Sequence, residues 1–272
     1  MMEASGVRSV IEALDPVAGG PAAERMRALL DANRPDLRYL VARVSGGAAQ
    51  RIASICAAVL AEAGAPTGLF DREPMLPTGP LDDALYARAG RLVLSAASQL
   101  GLQRPELGEL SRREVEVALA LTAFAEASLR VVVLVEEEPG ADIALGVADA
   151  DVTVLGRLGE DVVEGVLARL PEGRPVVSAP QEPAVRARIE SFAVERALPL
   201  LLGGRDFSSE DTEGSTDVIV AGERYAALPR GKHTAGWELG TGIAAALGVG
   251  ALGVRMRTEW VFAGAHAAAR RQ

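Results

Sequence analysis

The residues Ser45-Gly46-Gly47-Ala48-Ala49-Gln50-Arg51 follow a β-prone run, Tyr39 to Val44, and lead into a long apolar helical run, Ala48 to Ala63. A loop in that position is where nucleotide-binding sheets hold phosphate. Glycines let backbone N–H groups close around the anion, and the helix N-terminus behind them adds partial positive charge. A working loop of this kind also needs a lysine for the β- and γ-phosphates and a Ser or Thr hydroxyl for magnesium. Ala48-Ala49-Gln50-Arg51 occupies those positions here, and the only lysine in the chain is Lys232. Gly46 and Gly47 therefore read either as a weak anion cradle or, more simply, as a structural turn. Glu136-Glu137-Glu138, at the end of a β-prone run, reads as a remnant of a magnesium site or as a solvated loop. His233, beside Lys232, would orient a ligand or simply sit at the surface where a helix starts.

Composition narrows the function classes. The chain has 272 residues, 49% hydrophobic and 24% charged, enough for one large domain, or one domain with a small appendage. Its formal net charge of −9 argues against nucleic acid as a partner, because phosphate neutralisation needs clustered Lys and Arg. The single cysteine, Cys56, lies in an Ala-rich apolar run and reads as a small buried hydrophobe, with no disulfide or metal-ligand spacing. The N-terminus lacks the pattern of a signal peptide, so the cytoplasm is the expected compartment. Leu239 to Val254, the longest uncharged stretch, is broken by five glycines and is too short to span a bilayer.

The elements that would position these residues follow a βαβα rhythm, which implies a mostly parallel sheet with helices on both faces. Strands are expected at Tyr39–Val44, Thr67–Phe70, Val131–Val135, Val152–Leu155, Pro175–Ser178 and Leu198–Leu202. Helices are expected at Ala22–Asp31, Ala48–Ala63 and Arg112–Ala127, the last opened by a capping box of Ser111 and Glu114. Asp82-Asp83 suits a helix N-terminus. Asp71–Pro80 and Phe207–Thr216 read as loops, Asp217–Ala227 as a small β patch, and Thr241–Arg271 as Ala-rich helix interrupted by glycines. Trp237 and Trp260, at helical positions, read as packing anchors rather than stacking platforms.

The order and spacing of several short motifs resemble the folylpolyglutamate and dihydrofolate synthases of the Mur ligase superfamily. Glu24-Arg25-Met26 with Leu29-Leu30 is similar to the family's N-terminal helix, and Val44 to Phe70 is similar to its phosphate loop, helix and following strand. Leu110 to Glu114 with Phe124-Ala125-Glu126, Gly204-Arg205-Asp206-Phe207 and Gly231-Lys232-His233 match later elements in order. The resemblance implies a P-loop NTPase-like central domain spanning 1–272: a helical lead-in at 1–38, an α/β core at 39–206, and a β patch with C-terminal helices at 207–272. It also implies an ATP-dependent acid–amine ligase chemistry whose residues are largely replaced. The family's lysine falls on Ala49 and its magnesium hydroxyl on Arg51. Val135 takes the place of a metal-binding glutamate, with Glu136 one residue late. Leu155 to Asp161 stands where a metal-binding histidine is expected, and the His-Gln-x-x-Asn motif keeps only His233.

No confident catalytic residue remains. What is left is a degenerate phosphate loop, Ser45 to Arg51, and a vestigial metal or ligand set of Glu114, Glu136, Asp161 and His233. The family's C-terminal domain has no counterpart before Gln272. The expected function is a non-catalytic scaffold or partner subunit, with a ligase, a synthetase or itself as protein partner, or a binder of a small acidic ligand. No cofactor is expected. The alternative is a ligase completed by a second chain, using ATP and magnesium, with Arg51 or Arg157 replacing the lysine.

Overall fold

A computed structural model describes residues 3–15, 21–33, 38–76, 79–136, 138 and 142–271. Along the chain, α1 (Ala4–Glu12) and α2 (Ala22–Asn33) precede β1 (Leu40–Ser45), α3 (Ala49–Glu62) and β2 (Thr67–Phe70). Two short strands, β3 (Pro74–Leu76) and β4 (Gly79–Pro80), lead to α4 (Asp83–Gln103) and α5 (Arg112–Glu126). Strands and helices then alternate through β5 (Val131–Glu136), α6 (Ile143–Gly146), β6 (Val152–Leu155), α7 (Val163–Leu167), β7 (Val176–Ser178), α8 (Pro183–Glu195) and β8 (Leu200–Leu202). There follow β9 (Phe207–Thr212), β10 (Ser215–Val220), β11 (Glu223–Pro229), α9 (Gly236–Gly250) and α10 (Thr258–Arg271). The contacts gather the chain into two compact units. One comprises Met1–Tyr39, Arg72–Leu129 and Asp142–Ala148, and the other Leu40–Asp71, Arg130–Ala141 and Asp149–Gln272.

The first unit is helical apart from the β3–β4 pair, which forms where the sequence suggested only a loop. Asp82 caps α4, its side chain accepting the Leu85 N–H at 2.7 Å, as its place before an apolar run implied. The expected capping box of α5 is also present. Ser111 Oγ accepts the Glu114 N–H at 3.2 Å, and Glu114 Oε2 accepts the Ser111 N–H at 2.7 Å. The same Glu114 carboxylate takes Arg25 Nε at 3.1 Å and Nη2 at 3.3 Å, while Arg25 Nη1 donates to the Leu107 carbonyl at 3.0 Å. Both side chains are almost wholly buried, at 1% and 3% exposure. The pair ties α2 to the start of α5 with a charge on each side satisfied.

The second unit is built on six parallel strands in the order β2-β5-β1-β6-β7-β8. Its interior strand β5 is buried at every position, which explains why it reads as an unbroken apolar run rather than an alternation. On one face, Ala42, Val44, Val133 and Val154 pack with Ile52, Ile55 and Val59 of α3, Ile243 of α9 and Val261 of α10. On the other, Leu155 and Val176 pack with Val163 and Val166 of α7 and Val185 and Ile189 of α8. A mixed α/β fold, a mostly parallel sheet with helices on both faces, is what the sequence rhythm implied.

Two expectations are corrected here. Phe207–Thr216 is not a loop, for β9 runs through it and pairs antiparallel with β10, which pairs in turn with β11. Only Phe207 of β9 is buried, so the strand is held by backbone pairing and leaves no apolar alternation to read. The C-terminal helical segment begins at Gly236 rather than Thr241 and is two helices, separated by residues 251–257. Among the described residues no helix is long and apolar enough to cross a membrane.

Replacing Glu114 by Gln takes the Glu114 carboxylate charge from the buried Arg25 cation and should remove about 3–5 kcal/mol of stability, read as a lower urea midpoint with unchanged slope. Cys56 is fully buried, and burial pushes its thiol up to about 12. It should resist a disulfide reagent at neutral pH in the folded protein and react at once in denaturant.

Candidate functional site

Strand β1 ends at the buried Ser45, and the backbone then turns through Gly46, with φ +93°, and Ala48, with φ +62°. Helix α3 starts at Ala49 with no side chain capping it. The loop is in the place expected for phosphate binding, but the chain closes it from within. The Gly47 N–H donates to the Arg157 carbonyl at 2.8 Å, forming an isolated antiparallel bridge between the β1–α3 and β6–α7 connections. Gly156 also donates to the Ser45 carbonyl at 2.7 Å. The two backbones meet so closely that a Cβ on Gly156 would lie 2.2 Å from the Gly47 carbonyl oxygen. Gln181 fastens the second connection: its amide donates to the Gly156 carbonyl at 2.7 Å and its oxygen accepts the Leu158 N–H at 3.0 Å.

Side chains complete the closure. Ala49, in the lysine position and the first residue of α3, is 2% exposed and packs in the core. Arg51 sends a two-pronged guanidinium contact to Glu238, with Nη2 to Oε1 at 2.6 Å and Nε to Oε2 at 2.8 Å. The hydrogen bonds to this carboxylate hold the Arg51 guanidinium in its charged form still more firmly than usual. Glu238 is 2% exposed and also accepts the Ala235 N–H at 3.0 Å, so one carboxylate caps α9 and anchors α3 to it. Gln50 is hydrogen-bonded to Asp71. The Arg157 guanidinium lies 4.4 Å over the Trp237 ring, a cation–π contact that steadies the backbone facing Gly47. Arg257 similarly covers Trp260 at 5.0 Å. Both tryptophans thus carry an arginine on a ring face, and Trp237 also packs against the core, in keeping with its reading as a packing anchor.

Glu114 belongs to the first unit and is engaged by Arg25 and Ser111. In the second unit, Glu136 is buried at the end of β5 in register with Ser45, rather than in a solvated loop. Glu137 lies outside the described residues. Asp161 is exposed, with its carboxylate folded against Gly159. His233 is exposed in a turn beside Lys232, as its surface reading implied. Among the described residues no group of three or more His, Cys, Asp or Glu is placed to hold a metal ion.

The Gly47 N–H faces a protein carbonyl, the lysine position is apolar, and the guanidinium in the hydroxyl position is bound to a buried carboxylate. The sequence identified the loop but missed Glu238, Gln181 and the Arg157–Trp237 contact. Glu238 had one available signal, its position three residues after Ala235 at a helix start. Gly156→Ala should destabilise the fold by several kcal/mol because its methyl group meets backbone rather than a movable side chain, whereas Gly165→Ala, with nothing near its Cβ position, should be close to neutral. Thermal unfolding of the two variants compares them directly.

No family model matches the sequence, and no curated protein sequence matches it. Solved structures do. A folylpolyglutamate synthetase in complex with AMPPCP and folate superposes with a TM-score of 0.88 at 20% identity, covering 98% of this chain and 72% of that one. The folylpolyglutamate synthetase from Lactobacillus casei gives 0.85 at 20% identity, with the same coverage. The Mycobacterium tuberculosis folylpolyglutamate synthase complexed with ADP gives 0.80 at 20% identity, covering 97% of this chain and 65% of that one. This chain is therefore built, over nearly its whole length, on the fold of the folylpolyglutamate synthetases, as the order of its motifs implied.

Proposed function

We propose that this chain is a non-catalytic protein that keeps the folylpolyglutamate synthetase sheet as a scaffold, acting as a partner subunit to a ligase or synthetase. The observation that carries the reading is the internal closure of the phosphate loop. Gly47 donates to Arg157, and Arg51 is locked onto the buried Glu238. Phosphoryl transfer depends on positioning and on stabilising charge over the transferring group, chiefly through metal and cationic contacts. Here the contacts that would do so are made to the protein itself. A closed loop also stabilises the fold without a ligand, which suits a chain whose role is to present a surface. Under this reading ATP and magnesium are not its cofactors, and the cytoplasm is its compartment.

A ligase completed by a second chain would need Arg51 or Arg157 to contact phosphate. Arg51 would have to abandon a carboxylate with 3% side-chain exposure, and Arg157 its place over Trp237. Removing one partner of such a pair leaves the other buried and uncompensated.

Isothermal titration of the purified chain with ATP, with and without magnesium, tests the reading. No heat of binding is expected at millimolar ATP. Magnesium-dependent binding tighter than about 100 μM, or roughly 5.5 kcal/mol, would overturn it, and loss of that binding in Arg51→Ala would transfer support to the completed ligase.

A further inference from the structure

Strand β8 is the last strand of the parallel sheet. Its inward groups pair with β7: the Val176 N–H donates to the Pro199 carbonyl at 2.8 Å, and the Gly203 N–H donates to the Ser178 carbonyl at 2.8 Å. In a parallel ladder the alternate residues, Leu200 and Leu202, turn their backbone groups outward, where a further strand would pair. The chain places its own next turn against those groups. Arg205 Nη2 donates to the Leu200 carbonyl at 3.2 Å, and the Leu202 N–H donates to Asp206 Oδ2 at 2.8 Å. The Leu202 carbonyl accepts the Asp206 N–H at 2.8 Å and the Arg205 N–H at 3.1 Å.

The two side chains are fixed to each other. Arg205 Nη2 lies 2.7 Å from Asp206 Oδ2, Arg205 Nε lies 3.1 Å from Oδ1, and Arg205 Nη1 reaches Glu190 of α8 at 3.3 Å. The left-handed Gly204, with φ +82°, makes the turn that brings both residues back along the strand. The hydrogen bond from Arg205 holds the Asp206 carboxyl below the usual carboxylate range, which keeps the acceptor charged in mildly acid solution.

We propose that the Arg205–Asp206 turn is an edge cap that prevents a second copy of this chain from pairing with β8, so that protein partners dock elsewhere. A second copy is the occupant because the edge offers the same short run of leucines to itself, and two such edges pair antiparallel about a two-fold axis. The Gly-Arg-Asp-Phe motif, which carries no chemistry in the closed phosphate loop, then has a physical role of its own. The cap stands whether or not the chain binds ATP.

Asp206→Ala opens the Leu202 N–H, and Asp206→Asn keeps an acceptor there. Sedimentation velocity from low to high micromolar concentration should show Asp206→Ala associating beyond the wild-type species and Asp206→Asn behaving as wild type. Hydrogen exchange at Leu202 should be roughly tenfold faster in dilute Asp206→Ala, with residues 200–202 becoming protected as the protein associates. A folded Asp206→Ala that sediments as wild type overturns the proposal, and so does association that leaves 200–202 unprotected. If Asp206→Ala does not fold, Arg205→Ala, which opens the Leu200 carbonyl, is read by the same criteria.

Discussion

The contact between the Gly47 and Arg157 peptide groups sets the terms for everything around the candidate site. Once a backbone N–H that would face an anion is satisfied by a carbonyl 2.8 Å away, the two connections above the sheet must lie against each other. That approach tolerates no side chain at Gly156 and brings Leu158 over Gly46. It also places Arg157 where its guanidinium covers Trp237 at the start of α9. The two connections therefore form a packed junction.

The Arg51–Glu238 pair works in the same direction from the other side of the loop. Guanidinium and carboxylate geometries match in two parallel hydrogen bonds, and the carboxylate lies in low-dielectric surroundings where such contacts strengthen. The helix behind a phosphate loop ordinarily directs its N-terminal partial charge at a ligand. Here the residues of its first turn, Gln50 and Arg51, face Asp71 and Glu238. The first turn of α3 is thereby tied to neighbouring elements of the chain itself.

A comparable economy governs Glu114. Read as a remnant of a ligand set, it instead closes a capping box and neutralises the buried Arg25. Each carboxylate of this kind, Glu114 at α5 and Glu238 at α9, satisfies helix N–H groups and one arginine at once. These two buried carboxylates are thus satisfied by donors close at hand within otherwise apolar surroundings.

The sequence alone determined the alternation of strands and helices, because short unbroken β-branched runs such as Val131–Val135 and longer runs with helical spacing such as Ala49–Glu62 are each readable without partners. It also determined that no lysine stands at the phosphate loop, since Ala49 is written in the chain. It could not show β9, whose polar residues are ordered by backbone pairing with β10 and not by burial. Nor could it show that Arg51 would meet Glu238, a residue far along the chain, or that Gln181 would clamp the Gly156 connection. Those contacts exist only once the parallel sheet brings the ends of β1, β6 and β7 side by side and α9 packs on α3. Sequence spacing fixes what a helix or strand can bury, while the identity of the group that satisfies a given charge is settled by topology.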